Sequence, residues 1–309
     1  FGFIIFMGIF WSNTFVNIFV VMMAMSIFTS STLPLAESLT LAHLKANKAD
    51  SKYSHIRLWG SIGFIFAALS LGVMIDFYGE RSLIYALLVT QLVIFFLAFI
   101  LPEKKINFTK FNKRSIWPIL KKREVVVLLL SCALMVSSHG LLYNFYSIFL
   151  EDHSYSGATI GLLWSVGVVF EILIFLLMPK ILSKFTLKSV LLISLAFAVL
   201  RFFLIGAYVD SILILIAAQI MHAATFGSFH VASIQLIAHF FYNEHQARGQ
   251  SLYNSITYGV GGAIGGLGGG YMIEYSGMAN TFMLSAILPF VGFFVLLLGL
   301  KTKFKAEFK

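Results

Sequence analysis

Three ionisable residues stand inside long apolar runs of this chain: Glu171 in VVFEILIF, Arg201 in AVLRFFLI and His222 in AQIMHAAT. A carboxylate, a guanidinium and an imidazole brought together can hold a proton, release it and exchange partners, and that chemistry needs no cofactor. A charged residue at the centre of a membrane helix costs ~2.5–3.5 kcal/mol on insertion scales, so such residues are normally kept for a function. Glu171 lies nine residues before Lys180 and Arg201 thirteen after Lys188, whereas His222 lies twelve after Asp210 on the opposite side. At ~1.5 Å per residue these offsets are about 14, 20 and 18 Å, close to the middle of a ~30 Å hydrocarbon layer. His139, twelve residues before Glu151, reaches a similar depth. The alternative is a purely structural Glu171–Arg201 ion pair that fastens two helices, with His222 hydrogen-bonded beside it. His230 falls nearer a helix end and reads as structural.

A second pair lies earlier in the chain. Glu37 follows Pro34 among apolar neighbours, eight residues before Lys45, and Arg57 opens the next apolar run. A carboxylate in such surroundings must find a cation or a proton, whereas Arg57 alone could be a snorkelling anchor. His139, Tyr143, Asn144, Tyr146 and Trp164 are candidates to line an aromatic-tolerant cavity, with helix packing as the other reading.

The elements that must position these residues follow from composition. The chain is 59% apolar, 16% aromatic and only 11% charged, and its mean hydropathy is +0.91. Soluble domains run at about 45–50% apolar and about 25% charged, so the excess must face lipid. A disordered chain, a disulfide scaffold (Cys132 is the single cysteine) and a nucleic-acid binder are excluded despite the net charge of +9. Apolar stretches at 15–42, 55–76, 82–101, 124–150, 158–182, 187–208, 211–241, 248–275 and 279–300 are long enough to cross a bilayer as helices, and a shorter one occupies 1–12. These runs are too long and too continuous for barrel strands, so the fold class is all-α and polytopic.

Lys and Arg occupy alternate loops. Twenty of the 22 fall in 43–57, 103–123, 179–189, 240–250 and 301–309, whereas the intervening loops hold only Arg81. The positive-inside rule makes the basic face and the C-terminus cytoplasmic. Expected domains are 1–101, the remainder of an N-terminal bundle; 102–123, a basic cytoplasmic linker; 124–300, a six-helix bundle; and 301–309, a tail. The chain opens at Phe1 without Met, in an apolar run too short to span, and four helices precede the linker against six after it. That asymmetry suggests that the first two helices of a two-bundle protein are missing. No internal repeat is readable. Within the glycine stretch 259–270, pairs four residues apart suit close helix packing, with flexing as the minor reading.

Enzyme signals are lacking: no Gly-Lys dipeptide for a P-loop, no HExxH and no GxSxG. The chain therefore reads as a non-enzyme with no metal or cofactor to accommodate.

At the residues singled out above the chain resembles the major facilitator superfamily, and within it the phenylpropionic acid permease-like group related to lactose permease. The resemblance rests on PLAESL at 34–39, IRLWGSIGF at 56–64, GLLWSVGVVFE at 161–171, Arg201 in LRFF and QIMHAATF at 219–226. It implies a two-bundle fold of twelve transmembrane helices, about ten of them present, with Phe1 inside the third. It also implies that Glu37 and Arg57 bind substrate and that Glu171, Arg201 and His222 serve proton coupling. Where lactose permease-like proteins place a Lys three residues before the His and a Glu three after, this chain has Gln219 and Thr225.

The expectation is a proton-coupled symporter of a small organic solute, an aromatic or other organic acid, in a bacterial cytoplasmic membrane. Its substrate-binding candidates are Glu37, Arg57, His139, Asn144 and Trp164; its partners are substrate, protons and lipid, with no nucleic acid, and it is expected to act as a monomer. The alternatives are a sugar or nucleoside symporter of the same superfamily and a membrane sensor that binds without transporting. The charge pattern predicts that loops 43–57, 103–123 and 240–250 are cytoplasmic and that 151–157 and 274–280 face outward. Single cysteines introduced there, with Cys132 replaced, should report this to an impermeant maleimide in intact cells; labelling of 103–123 from outside would overturn the orientation.

Overall fold

The computed structural model describes residues 1–30, 32–46, 53–101, 115–242 and 245–300, apart from a few side chains. The side chain of Arg57, residues 102–114 of the linker and the tail 301–309 lie outside the described residues. All regular structure among the described residues is helical. Two compact units emerge, Phe1–Phe111 and Asn112–Lys309.

The first unit contains α1 (Gly2–Met7), a short 3-10 turn, α2 (Phe15–Thr29), α3 (Thr32–Ala46), α4 (Tyr53–Tyr78) and α5 (Arg81–Ile100). The single span expected over 15–42 is two helices. Ser26, Thr29 and Ser30 turn their hydroxyls back onto the carbonyls of Met22, Met25 and Ile27, and Pro34 has no N–H to continue the ladder.

The second unit contains α6 (Trp117–Leu120), α7 (Arg123–Asp152), α8 (Gly157–Lys184), α9 (Leu187–Ala207), α10 (Ile212–Ile220), α11 (Phe229–Phe240), α12 (Gln246–Asn254), α13 (Gly262–Ser285) and α14 (Ile287–Gly299). Local sequence sets several boundaries. Ser156 and Thr186 cap α8 and α9 by accepting from the backbone N–H groups of Thr159 and Ser189. At the far end of α9 and the near end of α8, Tyr155 Oη donates to Val209 O at 2.8 Å, so two turns expected on one face meet at one end. Burial, with Asp210 nearby, pushes the Tyr155 phenol above its ordinary range. At the opposite end Lys188 Nζ donates to the carbonyls of Leu297 and Leu300 and so caps the end of α14.

Seven helical stretches among the described residues are long and apolar enough to cross a membrane. The longest, Gln246–Gly299, is broken at Gly277, whose φ of 76° is open to glycine and costly for other residues. The expected break at 274–280 is therefore a one-residue reversal. Gly79 between α4 and α5 has a matching φ of 77°. Comparing the two turns exposes a short repeat missed in the sequence, MIDFYG at 74–79 and MIEYSG at 272–277, one in each unit.

Helix α7 is the centre of the second unit, packed against α13, α14 and the segment preceding α13. Its contact with α13 is a backbone approach. Gly261, Gly265 and Gly269 abut Ala133, Ser137 and Leu141 in register, and Gly140 in turn abuts Gly262. A methyl group on Gly265 would collide with the Ser137 carbonyl, whereas Gly268 on the open side meets nothing within 4 Å. Gly265→Ala should therefore lower the melting temperature in detergent, consistent with an overpacking cost of about 1–3 kcal/mol. Gly268→Ala should leave it unchanged or raise it; equal stability of the two variants would contradict the packing described.

Candidate functional site

The span Ile212–Phe240 is not uniformly α-helical. Between α10 and α11, residues Ala223–Ser228 form a π turn that His222 opens, and a second one, Ser255–Gly261, joins α12 to α13. π turns re-register main-chain hydrogen bonds and are frequent at functional sites. The segment AATFGS permits the first: Ser228 bonds Ala224 O, and a side chain on Gly227 would strike Ile174 of α8.

The Arg201 guanidinium is fully buried on α9. Its Nε donates to Ala218 O at 2.9 Å and its Nη2 to Gln219 Oε1 at 3.1 Å. Its Nη1 faces Thr225 Oγ1 at 3.1 Å, His222 Nδ1 at 3.1 Å and His139 Nε2 at 3.3 Å. None of these partners is a carboxylate. Because a guanidinium only donates, the two imidazole nitrogens facing it are acceptors. His139 then carries its proton on Nδ1, which lies 3.0 Å from Met135 O and donates to it. His222 carries its proton on Nε2, and that nitrogen faces Glu171 Oε2 at 3.7 Å. The direct Glu171–Arg201 pair considered from the sequence is thus a chain of three, carboxylate, imidazole and guanidinium, contributed by α8, the first π turn and α9.

Gly167 on α8 makes room for this arrangement, since a Cβ there would sit 3.1 Å from Gln219 Oε1 and 3.5 Å from the His222 ring. Beside Arg201, the Tyr146 phenol and the Gln219 side-chain amide are buried next to each other, and neither Oη nor Nε2 makes a further hydrogen bond among the described residues. Aromatic rings continue from the cluster: Tyr143 stacks on Trp164 with centroids 6.1 Å apart, and Tyr146 meets Trp164 edge-on at 5.4 Å. Trp164 Nε1 donates to Ser147 Oγ.

The structure therefore groups Glu171, Arg201, His222 and His139, with Trp164 of α8 packed on Tyr143 and Tyr146 of α7. Asn144 lies elsewhere, in the α7–α13 seam, where its amide donates to Gly140 O at 2.7 Å and covers Gly266. Glu37 is half-buried on α3 in the other unit. Sequence reasoning did not place Gln219 and Thr225 in the cluster. Their signal was their spacing, three residues before and three after His222, at the two positions where the family resemblance failed.

Residues 1–302 match the MFS_1 like family. The chain belongs to this family of major facilitator superfamily transporters. A relative described as "Probable 3-phenylpropionic acid transporter" from Escherichia coli (strain K12) is 30% identical over 274 residues, 87% of this chain and 71% of that protein. The nucleoside permease NupG of the same organism is 24% identical over 302 residues, 90% of this chain and 72% of the permease. The crystal structure of nucleoside transporter NupG superposes with a TM-score of 0.84 at 20% identity, covering 98% of this chain and 81% of that one. A bacterial homologue of the lysosomal transporter Spinster, solved inward-facing and unoccupied, gives 0.69 at 14% identity, over 99% and 83% of the two chains. This family member is accordingly an all-α, multi-pass membrane transporter with the major facilitator fold, not an enzyme.

The cluster makes Thr225 a load on stability. Thr225→Val keeps the shape but withdraws an acceptor from a buried guanidinium, and an unsatisfied buried group costs about 1–3 kcal/mol. The Val variant should melt several degrees below the parent in detergent and Thr225→Ser close to it. A Val variant as stable as the parent would contradict the hydrogen bond assigned here.

Proposed function

We propose that the chain is a proton-coupled symporter of a small organic acid, working by alternating access as a monomer in a bacterial cytoplasmic membrane with its C-terminus inside. The observation that carries this reading is a buried guanidinium surrounded by neutral acceptors and linked to the Glu171 carboxylate through the His222 imidazole. A buried cation needs one negative charge nearby. With the site empty, Glu171 provides it through His222. When a substrate carboxylate docks beside Arg201, it provides that charge instead, and Glu171 travels as the neutral acid.

The neighbouring donors Tyr146 Oη and Gln219 Nε2, each with capacity left, suit the incoming carboxylate, and the Tyr143–Trp164 face suits a flat ring. The phenylpropionic acid relative supports an aromatic acid. Glu37 and Arg57 are assigned to the substrate side from the first unit by the resemblance. A nucleoside or sugar substrate is the second reading, and the NupG relative favours the nucleoside.

The chain of three predicts a split phenotype. Glu171→Gln imitates the protonated acid permanently, so exchange of radiolabelled 3-phenylpropionate down its gradient should partly survive while uphill accumulation fails. Normal proton-driven accumulation by Glu171→Gln would overturn the assignment.

A further inference from the structure

His230 belongs to no part of the assignment above, yet it is on the same face as His222. The rings of His222, Phe226 and His230 form one stack through the first π turn, with centroids 5.1 and 6.0 Å apart and planes within 11° and 8° of parallel. The lower ring of the stack is bonded: His230 Nδ1 and Tyr258 Oη, from the second π turn, are 3.1 Å apart. The start of α11, two residues past the first π turn, therefore meets the second π turn at a titratable pair. Phe226 separates the two imidazoles, so a proton cannot step from ring to ring.

Glu171 offers a way round that phenyl ring. Glu171 runs alongside the same stretch, its Cγ within 3.5 Å of where a Cβ on Gly227 would be, three residues before His230. A cavity of about 10 Å³, lined by His139, Thr225, Phe226 and Tyr258 among others, lies between the Arg201 cluster and the Tyr258 ring. That volume is at the lower limit for one water molecule and its wall is mostly apolar, so the route left round the phenyl ring is the Glu171 side chain.

We propose that His230, paired with Tyr258, is a second proton station that connects Glu171 with the end of the span leading into loop 240–250, the cytoplasmic end in the orientation expected from the charges. The proposal rests on the symport reading. In the step envisaged, the Glu171 carboxyl gives its proton to the His230 nitrogen turned away from Tyr258, leaving a carboxylate and an imidazolium. The imidazolium then passes a proton from Nδ1 to Tyr258 Oη as the phenol gives its own to water, and His230 is neutral again. One proton leaves for each Glu171 discharged, and no other charge moves.

The groups that share this environment are Tyr258 and Tyr253 on the second π turn and α12, Cys132, His139 and Tyr143 on α7, Glu171 on α8, and His222 itself. At this level α9 contributes Ser194, bonded to Ser228 at 3.0 Å. Among them, Tyr258 is the phenol bonded to His230, and the test therefore uses both members of the pair.

The test uses the full chain in proteoliposomes with radiolabelled 3-phenylpropionate, comparing the parent with His230→Gln and Tyr258→Phe. The readouts are counterflow, uphill accumulation under an imposed pH gradient, and substrate-induced alkalinisation of the medium. A proton-relay role predicts that accumulation and alkalinisation fall by about tenfold or more, the lower range for positioned acid–base groups, and far more than counterflow does. It also predicts that the dependence of the uptake rate on pH flattens, with Tyr258→Phe intermediate. Parent-like accumulation by His230→Gln would overturn the proposal. So would an equal fall of counterflow and accumulation in both variants, the signature of a merely structural pair. If the parent itself takes up 3-phenylpropionate without alkalinising the medium, the symport reading fails and the relay fails with it, whereas failure in the variants alone leaves the symport reading intact.

Discussion

One buried cation sets the terms for the second unit. The guanidinium of Arg201 is withdrawn from solvent inside the bundle, and no single helix can supply all its acceptors. Its planar fork draws on α7 through His139, on the end of α10 through Ala218 and Gln219, and on the first π turn through His222 and Thr225. Satisfying it fixes how these three pieces meet α9, which ties local backbone irregularity to the place where charge must be handled. A lysine could offer three donors to this array and no planar geometry, so the site needs arginine in particular.

The neutrality of that cage has a functional consequence. Were a carboxylate bonded directly to Arg201, the charge would be satisfied permanently and the pair would act as a bolt. With five neutral acceptors the guanidinium is well placed geometrically but unpaired electrostatically, and Glu171 is held at one remove by an imidazole whose tautomer the arginine itself dictates. In the function proposed above, such an arrangement accepts a second anion without dismantling the cage. Close backbone packing of α7 on α13, made possible by Gly261, Gly265 and Gly269, keeps His139 and the aromatic face of α7 in place meanwhile.

Much of this was legible in the sequence because it depends on depth and periodicity. The apolar runs located the spans of the second unit, and counting residues from loop charges placed Glu171, Arg201, His222 and His139 at one level. The rest depended on which way a helix faces, and apolar composition is uninformative there. Asn144 and Tyr143 are neighbours in the chain, yet one enters the glycine seam and the other the aromatic face. The π turns shift the facing of every residue after them, so His230 could not be seen to stack below His222. Gln219 and Thr225 read as departures from a pattern, and the structure shows them as hydrogen-bond partners of the same arginine. In the first unit, the hydroxyl run 29–32 followed by Pro34 signalled a helix break that hydropathy alone passed over.

The central claim is that Arg201 is balanced by one negative charge at a time, Glu171 in the empty site and the substrate carboxylate in the loaded one. The loaded and empty sites then carry the same net charge, and each turnover moves one proton with one anion. Uptake of radiolabelled 3-phenylpropionate into proteoliposomes tests this most directly when the pH gradient and the membrane potential are imposed separately, the latter by a potassium gradient with valinomycin. The account predicts accumulation driven by the pH gradient alone and indifferent to an inside-negative potential, which would otherwise contribute about 2.3 kcal/mol per charge per 100 mV. Accumulation driven by the potential in the absence of a pH gradient would contradict it.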